Sequence, residues 1–383
     1  MELTRESTTY QAAASVATII EEHFVKHLAA AKEEGAENLA TAPSARMVEK
    51  MIDVAFWASL GREEGNATRM SLAFVSPEQA GKPLLFEEPF PLSPKVLTKL
   101  APGVERPGVH VGVWHDGEQL YIWGTTIKLP NFCFVLDVSE PGLLVVKHRR
   151  ILGLGKFTNI AMMKGDQVRI VDENSGMSPC SPAILKSLLG LESSALWNNP
   201  ENILIQIAVS MRAHRRGGIL LVVPSDATNW KESIVQPLQY PISPAFSGIA
   251  DLIRQDSGSV SEIYWQNALK REVDNISGLT AVDGATVINE QHELLAFGAK
   301  IMRAGSSSPV EKVLMMEPVM GGKPSYVHPS VIGGTRHLSA AQFVHDQNDA
   351  IALVASQDGY FTIFSWSDMK QMVQGHRVDI LLL

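Results

Sequence analysis

The chain has 383 residues, of which 33 are lysine or arginine and 41 are aspartate or glutamate, giving a formal net charge of −8. Hydrophobic residues make up 45% of the sequence and charged residues 19%, a composition that excludes an intrinsically disordered protein. The acidic balance predicts no nucleic-acid partner, and two cysteines are too few for a disulfide scaffold.

The N-terminal seven residues are polar, and no apolar core of a signal peptide follows them. The longest apolar runs, at residues 203–211 and 219–224, are much shorter than the roughly 20 residues that a membrane span needs. We therefore expect a cytoplasmic protein without a membrane partner.

Hydrophobic periodicity predicts two amphipathic helices near the N-terminus, at residues 11–32 and 45–60. Ser44 is a suitable N-cap for the second helix, and Gly61 a suitable end. From Met70 onward the pattern changes to short β-type runs. Two of these runs flank an Asp-Gly pair at 116–117, which predicts a hairpin.

A predicted helix at residues 201–216 leads directly into an apolar strand at 219–223, a pattern typical of a covered α/β sheet. Residues 226–247 are rich in proline, serine and threonine, which indicates a connection between domains. The sequence therefore predicts two α/β domains, at residues 1–245 and 246–383.

Two segments of the second domain carry residues suited to chemistry. In the first, Asp283 and Gly284 stand between apolar strand residues. A carboxylate beside a glycine places charge where the backbone can also approach a ligand closely. Taken alone, this segment favours an ordinary Asp-Gly turn at a strand end.

In the second segment, two glycines ending at Gly334 precede Thr335, a candidate N-cap of a helix. The N–H groups and the dipole at a helix N-terminus suit a phosphate, and Arg336 and His337 would add hydrogen-bond donors. Taken alone, this segment slightly favours an ordinary capped helix with a solvated arginine and histidine.

Together the two segments resemble the diadenylate cyclase domain, a family that includes the N-terminal domain of the DNA-integrity scanning protein. That family is marked by an Asp-Gly-Ala motif and, about fifty residues later, a Gly-Thr-Arg-His-Arg motif, which residues 283–285 and 334–337 match here. Residues 296–301 resemble the family's strand beside the adenine, and residues 350–359 its following strand and hairpin. The resemblance covers residues 265–366.

The resemblance implies a mixed-sheet domain with flanking helices that condenses two ATP into cyclic di-AMP in bacterial second-messenger signalling. It implies Asp283, Arg336 and His337 as catalytic residues, with Asp283 as a ligand of Mg²⁺ or Mn²⁺. Since each ATP attacks the other, it also implies that two protomers face each other in an oligomer. The implied substrate-binding residues are Gly284, Ala285, Ile301, Gly334, Thr335 and Ser356.

Two positions depart from the family pattern. Leu338 replaces the second arginine of the motif, and Gln357 replaces the acidic residue that often follows the serine. An alternative is therefore a nucleotide-binding regulator that has the cyclase fold without turnover. A metal-dependent hydrolase using Asp283 and nearby histidines ranks last, because the sequence offers no second carboxylate at useful spacing.

Three stretches of the predicted N-terminal domain, 1–245, lie at residues 55–65, 143–150 and 213–224. With these stretches the domain resembles the DACNV type of sensor domain, which stands before this cyclase in some bacteria. This resemblance implies control by a small molecule whose identity the sequence does not give. Basic groups at residues 147–150 and 212–216 suggest a pocket for an anionic ligand. For the second group, cations complementing the C-terminal end of a helix dipole are the favoured alternative.

Overall fold

The computed structural model describes residues 9–117, 119–149, 157–172, 183–188, 200–254, 262–305 and 307–382. The chain divides into two compact units, Met1–Val171 and Asp172–Leu383. Each unit combines helices with a β-sheet, so the predicted α/β class is confirmed. No helix within the described ranges is both long and apolar enough to cross a membrane.

The helices of the first unit, over its described residues, are α1 (Gln11–Glu33), α2 (Ala45–Leu60) and α3 (Pro94–Val104). Helices α1 and α2 confirm the predictions at residues 11–32 and 45–60. Helix α3 escaped prediction because its region is rich in proline. Pro94 stands in the first turn, where its fixed φ favours a helix, and the Ser93 side chain accepts the Val96 N–H at 3.4 Å.

A two-stranded ribbon, β1 (Arg62–Glu63) and β2 (Asn66–Ala67), precedes the sheet of the first unit. The sheet contains β3 (Met70–Phe74), β4 (Leu84–Pro91), β5 (His110–His115), β6 (Leu120–Thr126), β7 (Phe134–Glu140), β8 (Leu143–Arg149), β9 (Phe157–Lys164) and β10 (Gln167–Ile170). Its strand order is β10-β9-β8-β7-β3-β5-β6-β4, and the β3–β5 pair alone is parallel among the described pairs. The β5–β6 pairing confirms the predicted hairpin.

The helices of the second unit, over its described residues, are α4 (Ala183–Leu188), α5 (Pro200–Ala213), α6 (Gly248–Arg254), α7 (Glu262–Leu279), α8 (Pro329–Gly333) and α9 (Thr335–Asp346). Two short 3₁₀ segments lie at Asn229–Ser233 and Asp379–Leu382. Buried residues of α9, among them Phe343 and Val344, share one core cluster with residues of the sheet.

The sheet of the second unit has the strand order β12-β14-β13-β11-β17-β18-β19-β15-β16. Strand β11 pairs in parallel with β13, and β15 with β19, while the other described pairs are antiparallel. The strands are β11 (Gly218–Val223), β12 (Tyr240–Phe246), β13 (Ala285–Asn289), β14 (Leu294–Ala299), β15 (Val313–Met316), β16 (Ser325–Val327), β17 (Ile351–Ala355), β18 (Phe361–Ser367) and β19 (Met372–Arg377).

The division between the units differs from the predicted boundary near residue 245. Strand β11 lies between β13 and β17, with all six residues buried, so it belongs to the second sheet. The predicted connection at residues 226–247 contains β12, which pairs with β14 at one edge of the same sheet. The prediction of a connection was wrong because an edge strand tolerates prolines, which cannot complete a hydrogen-bond ladder.

Candidate functional site

Neighbouring strands bring the predicted site segments to one end of the second sheet. Strand β13 starts at Ala285, which pairs with Ala299 at the end of β14 and with Ile219 in β11. Strand β17 ends beside the start of β11, where Ala355 pairs with Gly218. Segments that are far apart in the sequence therefore meet at this end.

An open cleft with an empty volume of about 640 Å³ lies at this end of the sheet. The structure brings both predicted segments to it: Asp283 and Gly284 from the first, Thr335 and Arg336 from the second. The lining residues are Ile219, Asp283, Gly284, Ala285, Ala299, Lys300, Ile301, Thr335, Arg336 and Ser339.

Gly284 allows the backbone before β13 to lie very close to β14. Its φ of +108° is in a region that L side chains rarely adopt, and a Cβ there would lie 2.5 Å from the carbonyl carbon of Gly298. The Asp-Gly pair is therefore more than an ordinary turn. The close approach of the two backbones places the exposed Asp283 at the cleft.

The N-terminus of α9 forms another wall of the cleft. Gly334, with φ of +73°, is the N-cap, and Thr335 is the first helical residue, so the prediction of Thr335 as N-cap is wrong. A glycine accommodates the positive φ that this cap position requires. The Thr335 side chain makes no capping bond and lines the cleft instead. Unpaired N–H groups at a helix start suit an anion.

Arg336 is exposed and lies beside the backbone of Gly217, since a Cβ there would be 3.2 Å from its Nη1. Sequence reasoning missed a second cation in the cleft, Lys300, although it directly precedes the predicted Ile301. It also missed Ser339, which is four residues after Thr335 and so on the same face of α9.

The cleft contains more positive than negative side chains. Asp283, Lys300 and Arg336 form no ion pair with another described residue. One carboxylate against two cations gives the cleft a net affinity for anions. Across the described ranges, no group of three or more His, Cys, Asp or Glu side chains is arranged to hold a metal ion.

His337, predicted as catalytic, is fully buried and does not line the cleft. Its Nδ1 lies 3.2 Å from the Gly333 carbonyl oxygen, which can only accept, so Nδ1 donates and Nε2 accepts from the Thr362 hydroxyl at 3.2 Å. Burial lowers the pKa of His337, and the nearby Arg336 acts in the same direction. A neutral histidine thus anchors the start of α9 to β18.

Ser356, predicted to bind substrate, lies just beyond β17 and does not line the cleft. It belongs to a tight turn in which its Oγ accepts the Tyr360 N–H at 3.1 Å and its own N–H donates to the Tyr360 carbonyl at 2.9 Å. The pairing of Ala355 with Gly218 nevertheless places this turn at the same end of the sheet as the cleft.

The two basic groups noted in the sequence have structural partners. Lys147 forms an ion pair with Asp137, whereas Arg150 lies outside the described residues. Arg212 donates to the backbone carbonyls of Gly359 at 3.2 Å and Leu382 at 3.1 Å. These contacts support a structural role for Lys147 and Arg212 over an anion pocket.

Comparison with protein families identifies the first unit in part. The family model described as "Probable sensor domain DACNV" matches residues 37–127. None of the curated proteins compared matches the chain. The sensor domain predicted at residues 1–245 is thus confirmed only over residues 37–127, and sensors of this family are associated with diadenylate cyclases. Because the match does not include the second unit, the cyclase resemblance stays a prediction.

Proposed function

We propose that the chain is a diadenylate cyclase under the control of its N-terminal sensor domain. The reaction condenses two ATP molecules into cyclic di-AMP and releases two pyrophosphates. The observation that carries this proposal is the meeting of Asp283 and Gly284 with Thr335 and Arg336 in one cleft, across about fifty residues of sequence. Their order also matches the family motifs on which the resemblance depends.

The cleft suits a nucleotide with several phosphates. Arg336, Lys300 and the start of α9 offer charged and neutral N–H donors to phosphate oxygens. Ile301 also lines the cleft and offers apolar surface for a base. Catalysis of phosphoryl transfer is mainly positioning and electrostatic stabilisation, which such a wall can supply.

Asp283 fits the carboxylate ligand of a divalent metal ion. It is exposed in the cleft without an ion-pair partner among the described residues, and Mg²⁺ sites commonly combine one or two carboxylates with substrate phosphates. When bound, Mg²⁺ or Mn²⁺ would lower the pKa of the attacking 3′-hydroxyl and neutralise charge on the phosphates. Arg336 and Thr335 would orient the α-phosphate beside it.

Each copy of the chain offers one such cleft, so two copies must face each other to join two nucleotides. The proposal therefore requires self-association during turnover. It assigns an unidentified small molecule to the sensor domain and no nucleic acid or membrane partner to either unit.

A second candidate is a nucleotide-binding regulator with the cyclase fold and without turnover. Leu338, which replaces an arginine of the family motif, packs against the core cluster beneath α9, and His337 is sealed from the cleft. Positions 337 and 338 of the motif therefore present no polar side chain to the cleft. This candidate would bind a nucleotide through the remaining residues of the cleft and would lack efficient turnover.

Chromatography of the products formed by the full chain from ATP with Mn²⁺ or Mg²⁺ tests the proposal. We expect cyclic di-AMP from the wild type and at least about 100-fold less from Asp283→Asn, because removal of the metal ligand acts on the transition state. Asp226→Asn is the matched control, an exposed aspartate just beyond the other end of β11.

ATP binding without product under either metal would favour the regulator. Product formation unchanged in Asp283→Asn would show that the motif has been assigned wrongly. A wild-type chain that neither binds ATP nor forms product would contradict both candidates.

A further inference from the structure

A second guanidinium is held in place on the same end of the sheet as the cleft. Arg377, at the end of β19, pairs with Thr362, whose hydroxyl contacts the buried His337. Its guanidinium carbon lies 3.8 Å from the centroid of the Tyr360 ring, and its Nε donates to Asp379 at 3.0 Å. A ring and a carboxylate therefore fix the orientation of this cation.

The contacts of Arg377 leave part of its guanidinium available. Its Nε is committed to Asp379, but neither Nη atom donates a hydrogen bond to a described residue. The side chain keeps 33% of its surface exposed. A planar guanidinium with two open nitrogens is suited to bidentate contact with a phosphate.

Ser356 supplies a neutral donor in the turn that ends at Tyr360, whose ring Arg377 contacts. Since its Oγ accepts the Tyr360 N–H, the hydroxyl proton is free to donate elsewhere. The turn between Ser356 and Tyr360 also continues directly from Ala355. A Cβ at Gly217 would lie 3.2 Å from both the Ala355 carbonyl oxygen and Nη1 of Arg336, so the turn starts beside the arginine of the cleft.

Arg336 and Arg377 are linked through one buried ring, that of His337. Arg336 directly precedes His337 in α9, and Arg377 pairs with Thr362, whose hydroxyl contacts the imidazole. Burial is the main cause of the lowered pKa of His337, and both guanidinium groups lower it further. His337 remains neutral and adds no charge between them. The polar surface at this end of the sheet therefore extends from the cleft through the Ser356 turn to Arg377.

We infer that Arg377, with the Ser356 hydroxyl, forms a second phosphate position that binds the outer phosphates of a nucleoside triphosphate. This inference rests on the proposed ATP site. It also identifies a replacement for the motif arginine that the chain lacks, since Leu338 faces the core while β19 brings a guanidinium to the same end of the sheet. The position discriminates triphosphates from monophosphates, because a monophosphate does not extend beyond the cleft.

Equilibrium binding of two ligands to the full chain tests this inference: α,β-methylene ATP, which cannot be cyclised, and AMP, both with Mg²⁺. Arg377→Gln is expected to weaken binding of the triphosphate analogue about 10- to 100-fold, because one charge-assisted contact is lost. Binding of AMP should weaken less than about twofold. The control is Arg254→Gln, since Arg254 is exposed and paired with Asp251 and Glu293. This variant should bind both ligands as the wild type does.

Arg377→Lys keeps the charge without the bidentate geometry, so about a 3- to 10-fold weakening of the triphosphate analogue alone is expected. This variant decides the question if Arg377→Gln does not fold in a thermal melt. Unchanged triphosphate binding in a folded Arg377 variant, or equal losses for both ligands, would overturn the inference while the ATP site stands. Failure of the wild type to bind the analogue would overturn the ATP site itself.

Discussion

A polar network in the sheet of the first unit and the cleft of the second unit use their charged side chains in opposite ways. In the sheet of the first unit, Lys147 pairs with one oxygen of Asp137, and the other oxygen accepts the Ser71 hydroxyl at 2.5 Å. The Ser71 oxygen in turn lies 2.7 Å from Nδ1 of His110, which is buried. Each group of this network has a protein partner, so the network contributes to the fold of the unit.

In the second unit, Asp283, Lys300 and Arg336 share one exposed cleft and none has an ion-pair partner within the described ranges. Charges that neutralise each other inside a sheet stabilise a structure, whereas charges left solvated on rigid elements are available to a ligand. The partners of a charged residue, more than its chemical type, therefore indicate whether it serves stability or binding. We expect three measurable effects on stability, and the last of them tests this contrast directly.

The largest effect is expected for Gly284→Ala, which should lower the free energy of unfolding by about 4 kcal/mol through a strained positive φ and overpacking against β14. Gly278→Ala is the matched control, because it lies in α7 with open space around it and should be neutral or slightly stabilising. Chemical denaturation of both variants measures the difference. Equal stabilities would mean that the approach of β13 to β14 is not constrained by this glycine.

The next largest effect is the loss of stability at acid pH that His376 causes. Burial lowers the pKa of His376 to about 4, whereas an unfolded histidine has a pKa near 6.5. Between these values the unfolded chain binds a proton that the folded chain refuses, so stability falls as the pH drops below about 6.5 and levels off below about 4. The loss from this residue should approach about 3 kcal/mol.

Denaturation of the second unit between pH 7 and 4 measures this loss, with His376→Leu as the comparison. The free energy of unfolding of His376→Leu should depend less on pH over that range than that of the wild type. A variant with the same pH dependence as the wild type would assign the acid sensitivity to other groups, such as His337, whose pKa burial also lowers.

The smallest effect compares a carboxylate in a buried ion pair with a carboxylate that is exposed and unpaired among described residues. Asp137→Asn leaves Lys147 without its counter-ion in a largely buried position, with 12% of the lysine side chain exposed, and should cost about 2 kcal/mol. Asp283→Asn should change the stability of the second unit by less than about 0.5 kcal/mol, because the carboxylate is exposed and unpaired among described residues. If Asp137→Asn is as mild as Asp283→Asn, the contrast between the units does not hold.

Local patterns predicted the elements that depend on local physics. Helices α1 and α2, the β5–β6 hairpin and strand β11 follow from periodicity, caps and turn residues. The resemblance also predicted that residues 283–285 and 335–336 act together, and the structure places them in one cleft.

Features that depend on distant pairing could not be predicted from the sequence. The burial of His337 follows from β18 and its Thr362 hydroxyl, which a catalytic motif does not reveal. The position of Lys300 in the cleft follows from the pairing of Ala285 with Ala299, which brings the end of β14 to the cleft. The unit boundary was misplaced because the edge strand β12 resembles a linker in composition.

The position of β11 has a practical consequence for dividing the gene. This strand contributes the centre of the second sheet although it precedes residue 246, and α5 leads directly into it. A fragment starting at residue 246 would lack that central strand and expose the apolar edges of β13 and β17. Expression of the second unit on its own must therefore start at or before Pro200, and a fragment of the first unit must stop well short of residue 218.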